Sequence, residues 1–213
     1  WSDRSISDFY NKVGSYVGNN FYEKYEEDIR LFKELGLDSF RTSIQWSRLM
    51  DRDQKLNPEG AKFYHKVCAC AREQKIDLFM NLYHFDMPAY LFERGGWENR
   101  EVVEAYALYA RTAFREFGKE ISYWFTFNEP IVEPDQRYRD GAWYPFIRDA
   151  KRGMAVQYHL SLAHALAVRE FRKAKEEGYL LPDARIGLIN CFAPPYTREN
   201  PTPEDLEAVR MED

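Results

Sequence analysis

Cysteine is scarce: Cys68, Cys70 and Cys191 are the only three in 213 residues, an odd number without a Cys-x-x-Cys pair. That argues against a disulfide framework and leaves the thiols expected as reduced, as in a cytoplasmic protein. Positive charge is not in excess. Lys and Arg total 30 against 35 Asp and Glu, a net charge of -5, which excludes a broad cationic surface for nucleic acid or anionic membrane. No apolar run approaches the length of a membrane span. The opening "WSDRSISDFY" has neither the basic nor the apolar region of a signal peptide, and it starts at Trp1 without an initiator Met, so it reads as mid-sequence. No Gly-x-Gly-x-x-Gly or P-loop follows any apolar segment, and no Gly-x-Ser-x-Gly or Ser-His-Asp pattern occurs. Low-complexity segments, linkers and fixed-period repeats are also missing.

What remains is a chain that is 45% hydrophobic and 16% aromatic, enough to bury a sizeable core in one domain over residues 1–213. Its periodicity alternates helices with short apolar strands. "FYEKYEEDIRLFKEL" (21–35) carries Tyr22, Tyr25, Ile29, Phe32 and Leu35 at helical spacing and is closed by Gly36. Asn57 and Pro58 open a second helix, Asn99 caps a third that Gly118 ends, and a long helix runs from about Asp149 to Glu177. Between them, "LDSFRTSI" (37–44), "DLFMNLYH" (77–84), "ISYWFTFN" (121–128) and "ARIGLINCF" (184–192) read as strands. Thr202 and Pro203 start one more helix near the end of the chain.

Near-continuous apolar strands separated by helices imply a parallel sheet covered by helices. Right-handed crossovers leave an open doubly wound sheet or a (β/α)8 TIM barrel, and the missing Gly-rich loop favours the barrel. Four strands make only a partial barrel, since a complete one has eight in about 250 residues.

In such a barrel, chemistry collects at the C-terminal ends of the strands. The first strand finishes in Arg41, Thr42, Ser43, Gln45, Trp46 and Arg48, the second in Asn81, His84 and Asp86, the third in Asn128 and Glu129. Glu129 has two readings. It is either a carboxylate accepting backbone N–H groups at a turn, or a general acid/base whose pKa is raised by a second carboxylate and by apolar neighbours such as Trp124 and Phe127. Asn128, able to bond a sugar hydroxyl, and Pro130, which stiffens the turn, favour the second. His84 in "YHFDMP" is a core histidine or a ligand-binding one, and its place at a strand end favours the latter. Arg41 either pairs with a wall carboxylate or holds a second acid ionised beside Glu129. His65 in "HKVCAC" belongs to an amphipathic helix, where packing is expected rather than metal ligation, and no metal or other cofactor is implied. His159 and His164, five apart, read as helix surface or packing residues.

"FRTSIQWSRL", "NLYHFDMP" and "WFTFNEP", in this order on successive strands, resemble glycoside hydrolase family 1, with similarity running from "YEKYEEDI" through "GGWENREVVEAYALYA" to "RIGLIN". The resemblance implies a retaining β-glycosidase and makes the four strands barrel strands two to five. It assigns Glu129 as proton donor, Asn128 to the sugar 2-hydroxyl, His84 to the glycone, and Arg41 to a place against the nucleophile. Phe85 in "HFDMP" and the "GGWENREVVEAY" stretch resemble the phospho-β-glycosidase branch, whose small-molecule substrates are 6-phospho-β-glucosides or galactosides and whose members are cytoplasmic. The family's first strand, its last three and its Glu-Asn-Gly nucleophile motif are not in these residues. Glu98 in "WENR" and Glu199 in "RENP" lack the glycine and the strand before it. Because a retaining hydrolase needs two carboxyl groups about 5–5.5 Å apart, the chain is expected to be a fragment, inactive alone. A truncated sugar-binding or scaffold chain, or another barrel β-galactosidase or cellulase, are the competing expectations; oligomeric state is left open.

Overall fold

The computed structural model describes residues 18–192 and 194–212; the opening decapeptide lies outside them. In chain order the elements are α1 (Phe21–Glu34), β1 (Ser39–Ser43), a short α2 (Trp46–Leu49), α3 (Pro58–Glu73), β2 (Asp77–Asn81), a short α4 (Ala89–Glu93), α5 (Arg100–Phe117), β3 (Tyr123–Asn128), α6 (Val132–Pro134) continued by a π-turn over Asp135–Arg139, α7 (Ala150–Glu176), β4 (Arg185–Ile189) and α8 (Pro203–Glu212).

The long helices begin where the sequence places caps. Asn57 Oδ1 accepts from Glu59 N at 3.2 Å, Asn99 Oδ1 from Glu101 N at 2.9 Å, and Asp149 Oδ1 from Arg152 N at 3.1 Å. Each satisfies a backbone donor that the helix leaves without an internal acceptor, worth about 1 kcal/mol. At α8, Thr202 and Asp205 cap each other, Asp205 N donating to Thr202 Oγ1 and Thr202 N to Asp205 Oδ2. Gly36 takes the left-handed conformation expected after α1, with φ 79°. Gly118 does not: its φ is -64°. It is needed for space, because a Cβ there would collide with Phe114 O, Tyr179 O and the Leu180 side chain.

The sheet order is β1-β2-β3-β4, parallel throughout. Arg41 lies opposite Phe79, and Phe79 opposite Tyr123, so one face carries Arg41, Phe79, Tyr123 and Phe125. On that face Phe79 stacks on Tyr123 with ring centroids 4.5 Å apart. The opposite face carries Leu78, Met80 and Trp124 into a core shared with Val67 and Ala71 of α3, Phe114 of α5 and Phe171 of α7. Burial of these side chains drives the helices onto one side of the sheet. β1 and β4 have a strand neighbour on one edge only among the described residues. Among the described residues the result is a partial barrel whose interior face is open.

The strands are shorter than their apolar runs. Pairing continues for one step past the ladder, Ile44 N donating to Asn81 O and Leu82 N to Phe125 O. The chain then turns outward, so "LYH" (82–84) belongs to a loop. Three short elements, α2, α4 and α6, escaped the periodicity because three to five residues cannot express a helical stripe.

Candidate active site

Parallel strands place their C-terminal ends at one rim, where Arg41, His84, Asn128 and Glu129 gather. Arg41 starts lower, in the middle of β1, and its length lets Nη1 reach Asn128 Oδ1 at 3.2 Å. Asn128 is buried at the end of β3, its backbone N donating to Tyr83 O at 3.0 Å. Glu129 follows in a left-handed conformation, φ 47°, which is uncommon for a residue with a side chain. Its N donates to Ile189 O at 2.8 Å and its O accepts from Val132 N at 3.0 Å. The turn is therefore pinned to β4 on one side and to α6 on the other.

His84 is exposed at the same rim. Partial burial and the Arg41 charge lower its pKa, and the Glu129 charge opposes them. The net effect keeps the imidazole neutral near pH 7, with one ring N–H to donate and one lone pair to accept. The loop that carries it is held by Asp86, whose Oδ1 accepts from His84 N at 3.0 Å, and Phe85 between them has φ 66°. Burial raises the Asp86 carboxyl to about 6, while the backbone N–H groups of His84, Asp86 and Trp46 oppose the rise.

Several strand-end residues expected to converge at the rim turn away instead. Trp46 is fully buried, stacked on Tyr109 with ring centroids 5.2 Å apart, and the Arg48 guanidinium sits 4.2 Å above the Tyr22 ring. Both belong to the helix layer, because α2 reverses the chain directly after β1. Trp124 and Phe127, the expected apolar neighbours of Glu129, pack on that side too. Trp124 meets Phe114, and Phe127 meets Tyr83, Trp97 and Tyr106.

The two alternative glutamates stand elsewhere. Glu98 takes Arg152 Nε and Nη2, each at 2.7 Å, and the Tyr138 hydroxyl at 3.0 Å. The Arg152 guanidinium lowers its pKa against the effect of burial. Glu199 is exposed. His65 does more than pack: its ring nitrogens meet Glu120 at 2.5 Å and Glu116 at 2.9 Å, tying α3 to α5. His159 Nδ1 lies 2.6 Å from Trp97 O and His164 Nδ1 2.8 Å from Thr126 Oγ1, so both histidines bind α7 inward. No group of three or more His, Cys, Asp or Glu suited to a metal ion occurs among the described residues.

A buried polar group beside the rim was not foreseen. Tyr83, Trp97, Glu133 and Arg137 are each at most 3% exposed. The signal for part of it was in the sequence, as Glu133 and Arg137 stand at the i, i+4 spacing of a helical ion pair.

Half of a parallel helix-covered barrel thus carries a carboxylate, an amide, an imidazole and a guanidinium at its rim. The profile of Glycosyl hydrolase family 1 matches residues 2–213, and the chain belongs to that family. It is 41% identical over 214 residues to the 6-phospho-beta-glucosidase GmuD of Bacillus subtilis, covering 100% of this chain and 44% of the relative. It is 35% identical to a 6-phospho-beta-galactosidase of Leptotrichia buccalis, covering 92% of this chain and 41% of the relative. Among solved structures, the beta-glucosidase of Thermotoga maritima in complex with glucoimidazole superposes with a TM-score of 0.90 at 30% identity, over 99% of this chain and 47% of that one. The chain thus spans less than half the length of these relatives. Among the described residues no helix is long and apolar enough to cross a membrane.

Proposed function

We propose that these residues form the proton-donor half of a retaining β-glycosidase acting on 6-phospho-β-glucosides, as one domain within a catalytic barrel. The observation that carries the reading is the meeting of Arg41, His84, Asn128 and Glu129 at one rim in a chain of this family. The identity to a 6-phospho-beta-glucosidase, higher than that to a 6-phospho-beta-galactosidase, favours the glucoside. A cytoplasmic setting fits three free thiols.

In this reading the glycone lies against His84 and Asn128, with Asn128 bonding the sugar 2-hydroxyl. Glu129, protonated, gives its proton to the glycosidic oxygen as the bond to the anomeric carbon breaks. A second carboxylate, outside these residues, attacks that carbon, with Arg41 keeping it ionised. Glu129, now a carboxylate, then takes a proton from the water that releases the sugar. Asn128 holds the Arg41 guanidinium and so links donor and nucleophile sides of the site.

The full-length protein is to be assayed with p-nitrophenyl 6-phospho-β-glucoside, the corresponding galactoside, and both sugars without phosphate. Turnover of the phosphorylated glucoside, lost in Glu129→Gln, is the expected result. Preference for an unphosphorylated sugar would overturn the substrate assignment, and full activity of Glu129→Gln would overturn the proton donor. The 213 residues alone are expected to give no turnover; hydrolysis by them would place the nucleophile within this chain.

A further inference from the structure

Glu129 holds a backbone conformation that L-residues avoid, and such a conformation persists only where its surroundings determine it. The bonds of Glu129 itself fix the turn to β4 and α6, but neither fixes it to the loop after β2, which carries His84. Tyr83 does. Its carbonyl accepts from Asn128 N at 3.0 Å, one residue before Glu129. Its hydroxyl donates to Glu133, four residues after Glu129, with the two carboxylate oxygens at 2.9 and 3.1 Å. Trp97 Nε1 donates to the same hydroxyl oxygen at 3.2 Å, and Arg137 Nε lies 2.8 Å from Glu133 Oε1.

We propose that Tyr83, with Glu133 and Arg137 behind it, is a positioning residue that grips the donor turn on both sides of Glu129 and sets the carboxyl's aim at the leaving oxygen. The inference rests on Glu129 being the proton donor. Stability alone does not call for this arrangement. A carboxylate and a guanidinium, each about 2% exposed at the side chain, have lost their water, and packed apolar side chains in their place are often as stable. What an apolar cluster lacks is direction. Burial and the nearby Glu133 charge push the Tyr83 phenol well above its usual range, so it stays a hydrogen donor at every working pH. Tyr83 also directly precedes His84, so one residue keeps the glycone side and the proton donor in register.

Leaving groups separate this role from a merely structural one. A 2,4-dinitrophenolate departs without a proton, whereas a phenolate or an alkoxide needs one as the bond breaks. kcat/KM reports that first bond-breaking step. In the full-length protein, Tyr83→Phe and Glu133→Gln are to be compared with the parent on dinitrophenyl and phenyl glycosides of the preferred sugar. The dinitrophenyl/phenyl ratio of kcat/KM is expected to rise by about tenfold to a hundredfold, the scale of a donor misplaced by a fraction of an ångström to an ångström. The ratio is internal to each preparation, so loss of folded protein cancels. An unchanged ratio in both variants, whatever the fall in total activity, overturns the proposal. Glu129→Gln in the same assay keeps the two questions apart. A raised ratio there supports the proton donor, and an unchanged ratio removes it together with this inference, even if Tyr83→Phe has an effect of its own.

Discussion

Arg41 Nη1 donates to Asn128 Oδ1 at 3.2 Å across 87 residues of sequence, joining the middle of β1 to the end of β3 over the open barrel face. The bond occupies the Asn128 carbonyl oxygen and leaves its amide N–H groups to donate. A guanidinium held in this way has one edge committed and the rest free for a carboxylate, which suits the place assigned to Arg41 beside a nucleophile.

Asn128→Ala removes both the Arg41 acceptor and the proposed contact to the sugar 2-hydroxyl. In the full-length protein kcat/KM is expected to fall by roughly two to three orders of magnitude, since hydrogen bonds to that hydroxyl strengthen in the transition state. A 2-deoxy substrate should lose much less. An equal loss on both substrates would show that Asn128 acts through Arg41 or through the fold, and not on the hydroxyl.

Asp86 is held above its unfolded value of 3.8, near 6, by burial. Its contribution to stability is complete below about 4 and declines as the pH rises through 6, because the folded state then bears a charge it solvates poorly. Asp86→Asn keeps an acceptor for His84 N and lacks this titration. The urea midpoint of the parent, relative to Asp86→Asn, is expected to drop between pH 4 and 7; a constant difference would refute the assignment.

The opposite type of group gives the same direction at higher pH. His65 loses some solvent to burial, which disfavours its charge, but Glu116 and Glu120 outweigh that and raise its pKa above 6.5. The stability it adds is full below 6.5 and fades as the pH passes its folded value. The pair is partly exposed, with 39% of the His65 side chain open, so screening limits the effect to about 1 kcal/mol. His65→Ala should lower the thermal midpoint at pH 6 and hardly at all at pH 9.

The 213 residues by themselves should associate. Among the described residues the outer edges of β1 and β4 have no strand partner, and Phe192 and Tyr196 are 83% and 84% exposed. Unpaired edges and bare apolar rings invite pairing between chains. Light scattering at micromolar concentration is expected to give a mass above 25.4 kDa. A clean monomer would show that the open face is covered by other means.

The sequence alone determined the helix-strand alternation, the parallel sheet and four of the residues that meet at the rim. Each rests on a local rule: periodicity for α1, Asn57 and Asn99 as caps, and position in or just after a strand for Arg41, His84, Asn128 and Glu129. Only the tertiary structure decided where Trp46 and Arg48 went, because the change of direction directly after β1 decides between rim and helix layer, and it alone showed the irregular register between Phe125 and Asn128 in the stretch of β3 that holds Phe127. It alone also brought Tyr83 and Trp97 to Glu133 and Arg137, and His65 to its two carboxylates. Those pairings join segments 14 to 55 residues apart, and no local pattern encodes a contact that depends on how helices and loops pack over a shared sheet.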